Sequence, residues 1–288
     1  MANSINGIEL AHIAQESLRL LTAEMPKLSG FTTDFSSDVA GSGTSVTTRI
    51  PVALAASDAS GGYNTSDAST VAKTVTLNKH IHVTVGFTDF EVVQATLATL
   101  ERAFIAPLVY GVTRKMMDDV FALATAANFP ATAPYTNFGA DAVTDLSQQM
   151  TVANVPLAGR SLYIRPDLYN ALAKDDAIQA AYAFGSSEAV REGRVPRVAG
   201  FDIIEYNGLP VALAGMATSK EGILIAARQP ATPRDFAGAV ESVTESGSGL
   251  TLQFRSWYDA NAGQHKLCGT LIYGVAVGVA ANVIRIED

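Results

Sequence analysis

Two alternating stretches flank a polar tip, and this pattern constrains the fold more than any other in the chain. From Thr44 to Leu54, Val46, Thr48 and Ile50 alternate with Thr47 and Arg49. From Thr74 to Phe87, Val75, Leu77, Ile81, Val83 and Val85 share one parity. Such alternation predicts strands. Residues 55–70 are Ala, Ser, Asp, Gly, Asn and Thr with almost nothing apolar, the composition of a loop tip. Together they predict a long hairpin with little core of its own. A two-stranded hairpin is marginal alone, so this one requires another surface to lie on.

The remaining pattern predicts a mixed α+β chain. Residues 4–25 carry Leu10, Ala14, Ser17, Leu18 and Leu21 at helical spacing, with Asn6 and Glu9 as a capping box and Met25-Pro26 as the stop. Residues 31–43 read as irregular. Thr88-Asp89-Phe90-Glu91 is a second capping box. A helix follows from Glu101 to Ala126, striped by Phe104, Leu108, Val112, Met116, Val120 and Leu123, with Pro107 expected to kink or break it. Asp141 is read as capping a helix through Met150, and Pro166 as opening one through Leu172. Strands are expected at Ser161–Ile164, Val198–Glu205, Val211–Ala214 and Ile223–Ala227. Residues 230–235 read as a crossing. Ala239 to Ile286 reads as β-rich, with a hairpin at Gly247-Ser248-Gly249.

Charge limits what such a chain can do. Only 17% of its 288 residues are charged, against about 25% in soluble domains. That scarcity fits either surface hidden against other subunits or a chain that is simply rich in Ala, Val and Thr. The net charge is −8 with no basic block, which argues against sequence-reading contact with nucleic acid, where phosphate neutralisation dominates affinity. A single cysteine, Cys268, permits no disulfide framework or metal knuckle. Glu9, Glu16 and Glu24 interrupt the N-terminus, and no basic segment precedes an apolar run, so no signal peptide is expected. Leu267 to Ile284 is uncharged and long enough to span a bilayer. Its glycines, Thr270, Asn282 and alternating valines predict buried β-structure instead.

Candidate chemistry is sparse. His80 and His82 share a strand face, but no nearby Cys, Asp or Glu completes a metal set. Gly41-Ser42-Gly43 is too short for a phosphate loop. Gly185-Ser186-Ser187-Glu188-Ala189 nearly matches a nucleophile elbow, yet lacks the final glycine and a preceding strand, and His265 is the only later histidine. Asp118-Asp119 and Asp175-Asp176 sit on predicted helices, where adjacent side chains diverge. They read as solvated faces, and Trp257 with Tyr258 as core. No catalytic residue, cofactor or metal site is assigned. Arg191, Arg194 and Arg197 stand apart: Gly193 and Pro196 place them on a loop, which is either simply solvated or presents arginine forks to carboxylates on neighbouring subunits.

Residues 189–205, Ala-Val-Arg-Glu-Gly-Arg-Val-Pro-Arg-Val-Ala-Gly-Phe-Asp-Ile-Ile-Glu, followed by Leu209-Pro210-Val211, resemble a signature of tailed-phage major capsid proteins. In these a glycine-broken basic loop precedes a Val-Ala-Gly-Phe-type strand and a Leu-Pro. The order of elements is similar to the Hong Kong 97-type capsid fold. The helix around Leu108 to Ala127 and the Leu267–Tyr273 strand resemble those of P-twenty-two-type coat proteins, without room for that type's inserted domain. The resemblance implies an N-terminal arm (1–43), an extended loop (44–87), a spine helix in a peripheral subdomain (88–138), an axial subdomain (139–235) and a β-rich peripheral return (236–288). It also implies a non-enzymatic shell subunit forming pentamers and hexamers around double-stranded DNA. Scaffolding, portal and decoration proteins would be its partners. Assembly would occur in the host cytoplasm, the virion would be its destination, and no membrane would be involved. The fold's lysine–asparagine crosslink is carried onto no residue. The alternatives are an encapsulin-like compartment shell, a serine hydrolase using Ser187, or a tail-tube subunit.

Overall fold

The longest strand, β12 (Gln264–Val277), organises the chain. The structure, a computed structural model, describes residues 25–39, 45–51, 68–94, 97–178, 195, 197–245 and 249–287, with 56, 58, 60 and 65 as isolated positions. One edge of β12 pairs with β11 (Thr251–Asp259) and then with β9 (Ile223–Gln229). The other pairs with β4 (Lys79–Thr88). Adding β10 (Gly238–Thr244) and β1 (Thr32–Val39) gives a six-stranded sheet in the order β1-β9-β12-β11-β10, with β4 beside β12. The uncharged 267–284 run is thus largely buried strand, as its glycines and alternation predict. Among the described residues no helix is long and apolar enough to cross a membrane.

The capping box at Thr88 forms as its residues predict. The Thr88 N–H donates to Glu91 Oε2 at 2.8 Å, and the Glu91 N–H to Thr88 Oγ1 at 3.3 Å. It opens a short helix, α1 (Asp89–Gln94), ahead of the long α2 (Leu97–Phe121). Of the predicted stripe on α2, Leu108, Val112, Met116 and Val120 are buried against the sheet, joined by Ile105, Val109, Met117 and Phe121, whereas Phe104 is exposed and Leu123 lies past the helix end. Pro107 does not break the helix. It sits on the exposed side with Ala103, where the carbonyl that loses its partner can turn to water. The helix stops at Phe121 rather than Ala126, and Asn128 Nδ2 closes the turn onto the Leu123 carbonyl at 2.9 Å.

A second, five-stranded sheet has the order β5-β13-β8-β6-β7. Its strands are β5 (Thr132–Ala133), β6 (Arg160–Ile164), β7 (Phe201–Glu205), β8 (Gly215–Ser219) and β13 (Val283–Ile286), and helices α3 (Ala140–Val152) and α4 (Pro166–Ala173) accompany it. Asp141 does not cap α3. The N-cap is Gly139, and the carboxylate that accepts from the Ala140 N–H at 2.9 Å belongs to Asp175. Asp175 also accepts from the Ala177 N–H at 2.9 Å, and these backbone bonds hold its carboxyl below the usual range. Residues 211–214 form turns rather than a strand. The Leu213 N–H donates to the Pro210 carbonyl at 2.8 Å, which postpones strand pairing to Gly215. The sheets do not divide the sequence at one point: β9 lies within 139–235 yet joins the six-stranded sheet, and β13 lies within 236–288 yet joins the five-stranded one.

Arg160 is the largest fully buried side chain. All five of its hydrogen bonds go to neutral oxygens at the end of α3 and just beyond: the Ser147 carbonyl and hydroxyl, Thr151 Oγ1, and the Val155 and Pro156 carbonyls, at 2.5–3.1 Å. A cation here matches the negative end of the helix dipole and supplies donors to the Val155 and Pro156 carbonyls just past the helix. Burial lowers the guanidinium's pKa from its ordinary value. The predicted N-terminal helix 4–25 lies outside the described residues except for Met25. From there the chain is anchored where the Tyr163 hydroxyl donates to the Lys27 carbonyl at 2.6 Å and Phe31 stacks on the Tyr163 ring at 5.0 Å.

Candidate assembly surface

The predicted hairpin exists, but it is not one strand running from 74 to 87. Strands β2 (Ser45–Pro51) and β3 (Thr70–Thr76) pair antiparallel and form a sheet of their own. The chain breaks at Leu77-Asn78 before β4 enters the large sheet, and the Asn78 N–H donates to the Thr76 carbonyl at 3.0 Å. Val75 and Leu77 pack on Leu224 and Ala226. Ile81, Val83 and Val85 pack toward α2. Because alternate residues of β9 point to opposite faces, these two sets lie on opposite faces of the sheet. Only the hairpin base is seated. Thr47, Thr48, Arg49, Val71, Ala72 and Thr74 are exposed.

The seat depends on Gly274. A Cβ there would fall on the Thr76 carbonyl oxygen, so only glycine lets the hairpin backbone cross β12 at this depth.

Beyond the seat, the same outer face is open. His80, His82, Arg255, Lys266, Trp257 and Phe236 help to line a groove of about 420 Å³, and its lining includes no carboxylate. His80 Nε2 lies 2.9 Å from Thr270 Oγ1, and His82 Nδ1 lies 3.0 Å from Thr84 Oγ1. Burial, with Arg255 and His82 nearby, lowers the pKa of His80 from its ordinary value. Arg255 lies over the Phe236 ring and donates to the Ala231 carbonyl at 3.0 Å. Lys266 pairs with Asp259 at 2.5 Å. In an acidic chain this face is basic and partly aromatic. Trp257 lies at the groove and Tyr258 is exposed, so neither is the core residue the alternation predicts.

Of the three arginines singled out in the sequence, Arg191 and Arg194 lie outside the described residues. Arg197 is about half exposed, and its guanidinium donates twice to the Gly200 carbonyl, at 2.9 and 3.0 Å, with Asp202 3.5 Å away. Ala199 and Gly200 have φ of 47° and 89°, so the arginine braces a left-handed turn that leads into β7. The Leu157 carbonyl lies 3.5 Å from the Arg197 guanidinium, and Leu157 and Val152, the last residue of α3, are exposed. The acid pairs also differ from the solvated reading. Asp119 is nearly buried on α2, and Asp118 accepts from the Tyr206 hydroxyl at 3.3 Å. No group of three metal-ligating side chains converges among the described residues. Gly41-Ser42-Gly43 and Ser187 lie outside them, and Cys268 is buried.

By sequence the chain matches no family model and no curated protein. By structure it is similar to the capsid of cyanophage P-SCSP1u, with 16% identity over 89% of this chain and 86% of that one and a TM-score of 0.59. It is similar to the acid-stable capsid of Helicobacter pylori bacteriophage KHP30, with 10% identity over 89% and 87% and a TM-score of 0.61. It also resembles a virus-like particle from Pyrococcus furiosus, with 12% identity over 95% and 98% and a TM-score of 0.50. Each likeness spans nearly the whole of both chains. The chain has the mixed α+β fold of phage capsid subunits.

Proposed function

We propose that this chain is a major capsid protein, a structural subunit that self-assembles into an icosahedral shell around phage double-stranded DNA. One observation carries this reading: a hairpin seated only at its base, in a chain of which 89% aligns with capsid folds. Exposed strands need a neighbour to cover them, and the open half of the outer sheet face offers one. Residues 52–69 contain Asp58 and Asp67 and no Lys or Arg, which suits a basic groove on the next subunit. The N-terminal segment, 1–43, is the arm, and 44–87 the extended loop. Residues 88–138 and 236–288 form the peripheral subdomain and 139–235 the axial one, with β9 and β13 exchanged between them. Within the fold we place the chain nearest the P-twenty-two type, on its 108–127 helix and 267–273 strand. DNA is enclosed rather than read. Scaffolding, portal and decoration proteins are its expected partners, and assembly precedes packaging in the host cytoplasm.

The second reading is an encapsulin-like compartment shell, which no comparison favours. Nucleic acid inside purified particles supports the phage reading, and protein cargo supports the other.

The basic loop gives a direct test. Replacing Arg191, Arg194 and Arg197 together by alanine should lower the subunit's Tm only by the loss of the Arg197–Gly200 brace, leaving it folded, while shells fail or become aberrant. Light scattering and electron microscopy read the outcome. Normal shells from the triple variant would remove the loop from the assembly surface, and an unfolded subunit would make the arginines structural.

A further inference from the structure

The Asp119 carboxylate joins three elements at the root of the hairpin. Its Oδ1 accepts from Lys115 Nζ at 3.0 Å, one turn back on α2. Its Oδ2 accepts from Lys79 Nζ at 2.9 Å and from the Tyr273 hydroxyl. Lys79 is the first residue of β4 and stands opposite Tyr273 in the β4–β12 ladder. The next residue on β12 is Gly274, whose open face takes the Thr76 carbonyl. The segment from Thr76 to Lys79 therefore passes from the outer face of the sheet to its edge between two fixed points, one on each side of β12.

We propose that these two points form a clamp that sets the angle at which the hairpin leaves the sheet, and that the Lys79–Asp119 pair is its releasable half. The Gly274 contact is steric and cannot be undone without moving backbone. The ion pair is different. The Lys79 side chain is 35% exposed, so its ammonium can return to water. Asp119 then keeps Lys115 and Tyr273, so release does not strand a buried charge, which is what makes breaking such pairs costly. The clamp holds the hairpin in one direction in the free subunit, and it lets the root move while β4, β12 and α2 stay packed. Its use rests on the hairpin reaching a neighbour, as proposed above.

Hydrogen–deuterium exchange of the full, unassembled chain tests the clamp. In Lys79→Met, residues 70–78 should exchange about tenfold faster, as local opening replaces a closed root. The five-stranded sheet should be unaffected. Asp119→Asn should show the same rise and also loosen residues 115–121 of α2. The double variant should exchange at 70–78 no faster than Asp119→Asn alone, because one shared interaction is lost only once. Unchanged exchange at 70–78 in Lys79→Met overturns the clamp. So does an equal rise across both sheets, which would make Lys79 a general stabilising residue. The reading is taken on the free chain, so it stands whether or not the chain forms shells.

Discussion

Replacing Arg160 by alanine is expected to destabilise strongly the body built on the five-stranded sheet. The side chain is completely buried, and its partners are the Ser147 carbonyl and the Ser147 and Thr151 hydroxyls of α3 and the Val155 and Pro156 carbonyls of the segment leading to β6. Truncation takes the donor from the buried Val155 carbonyl, which costs about 1–3 kcal/mol, while the Ser147 carbonyl keeps the Thr151 hydroxyl. The lost side chain also leaves a cavity beside Phe201, over whose ring the guanidinium lies. The sum is about 3–5 kcal/mol, a large share of the roughly 5–15 kcal/mol that holds a domain together. Arg160→Lys keeps the charge but not the planar fork, so it should reach fewer carbonyls and fall between the two. Urea denaturation measures both. A loss below about 1 kcal/mol for the alanine variant would show that the α3 end is held by other contacts.

Gly274→Val should unseat the hairpin with the sheets left intact. The added Cβ meets the Thr76 carbonyl, a backbone atom that no rotamer change can move aside. Overpacking in a fitted site costs about 1–3 kcal/mol, and here the cheapest relief is for residues 75–78 to lift. Val75 and Leu77 would then leave Leu224 and Ala226 uncovered. The expected result is a folded subunit, judged by unchanged far-ultraviolet circular dichroism, that binds more hydrophobic dye and no longer forms regular shells. Normal particles from this variant would show that the hairpin's seating does not govern assembly.

The elements that the sequence made legible are those whose signal is local. The α2 stripe, the Thr88–Glu91 capping box and the strand character of 267–277 each follow from a period or a short motif, and each is present. What was hidden depends on partners far away in sequence. Val75, Leu77, Ile81, Val83 and Val85 share one parity, so nothing in the alternation marks the break at Asn78 that sends them to opposite faces. That break is set by Gly274, some two hundred residues later. Asp119 reads as half of a solvated pair because its neighbour Asp118 is the only carboxylate in view, whereas Lys79 and Tyr273 arrive through the β4–β12 pairing. Asp175 takes the capping role that Asp141 seemed placed for, from 35 residues away. The basic groove has the same origin. His80 and His82 carry no message alone, and they gain one only when strand register sets them beside Arg255, Trp257 and Lys266. The arginine loop was visible as a concentration of charge, and Arg197 proves to brace its own turn as well as face solvent.

Electron microscopy of the purified protein under assembly conditions, with scaffold supplied if the chain alone stays soluble, tests the central claim most directly. Closed, regular spherical shells in which each subunit's 45–76 hairpin lies across its neighbour are the predicted result. A chain that stays strictly monomeric under every assembly condition, or that forms only open tubes, would contradict the claim that it is a capsid subunit.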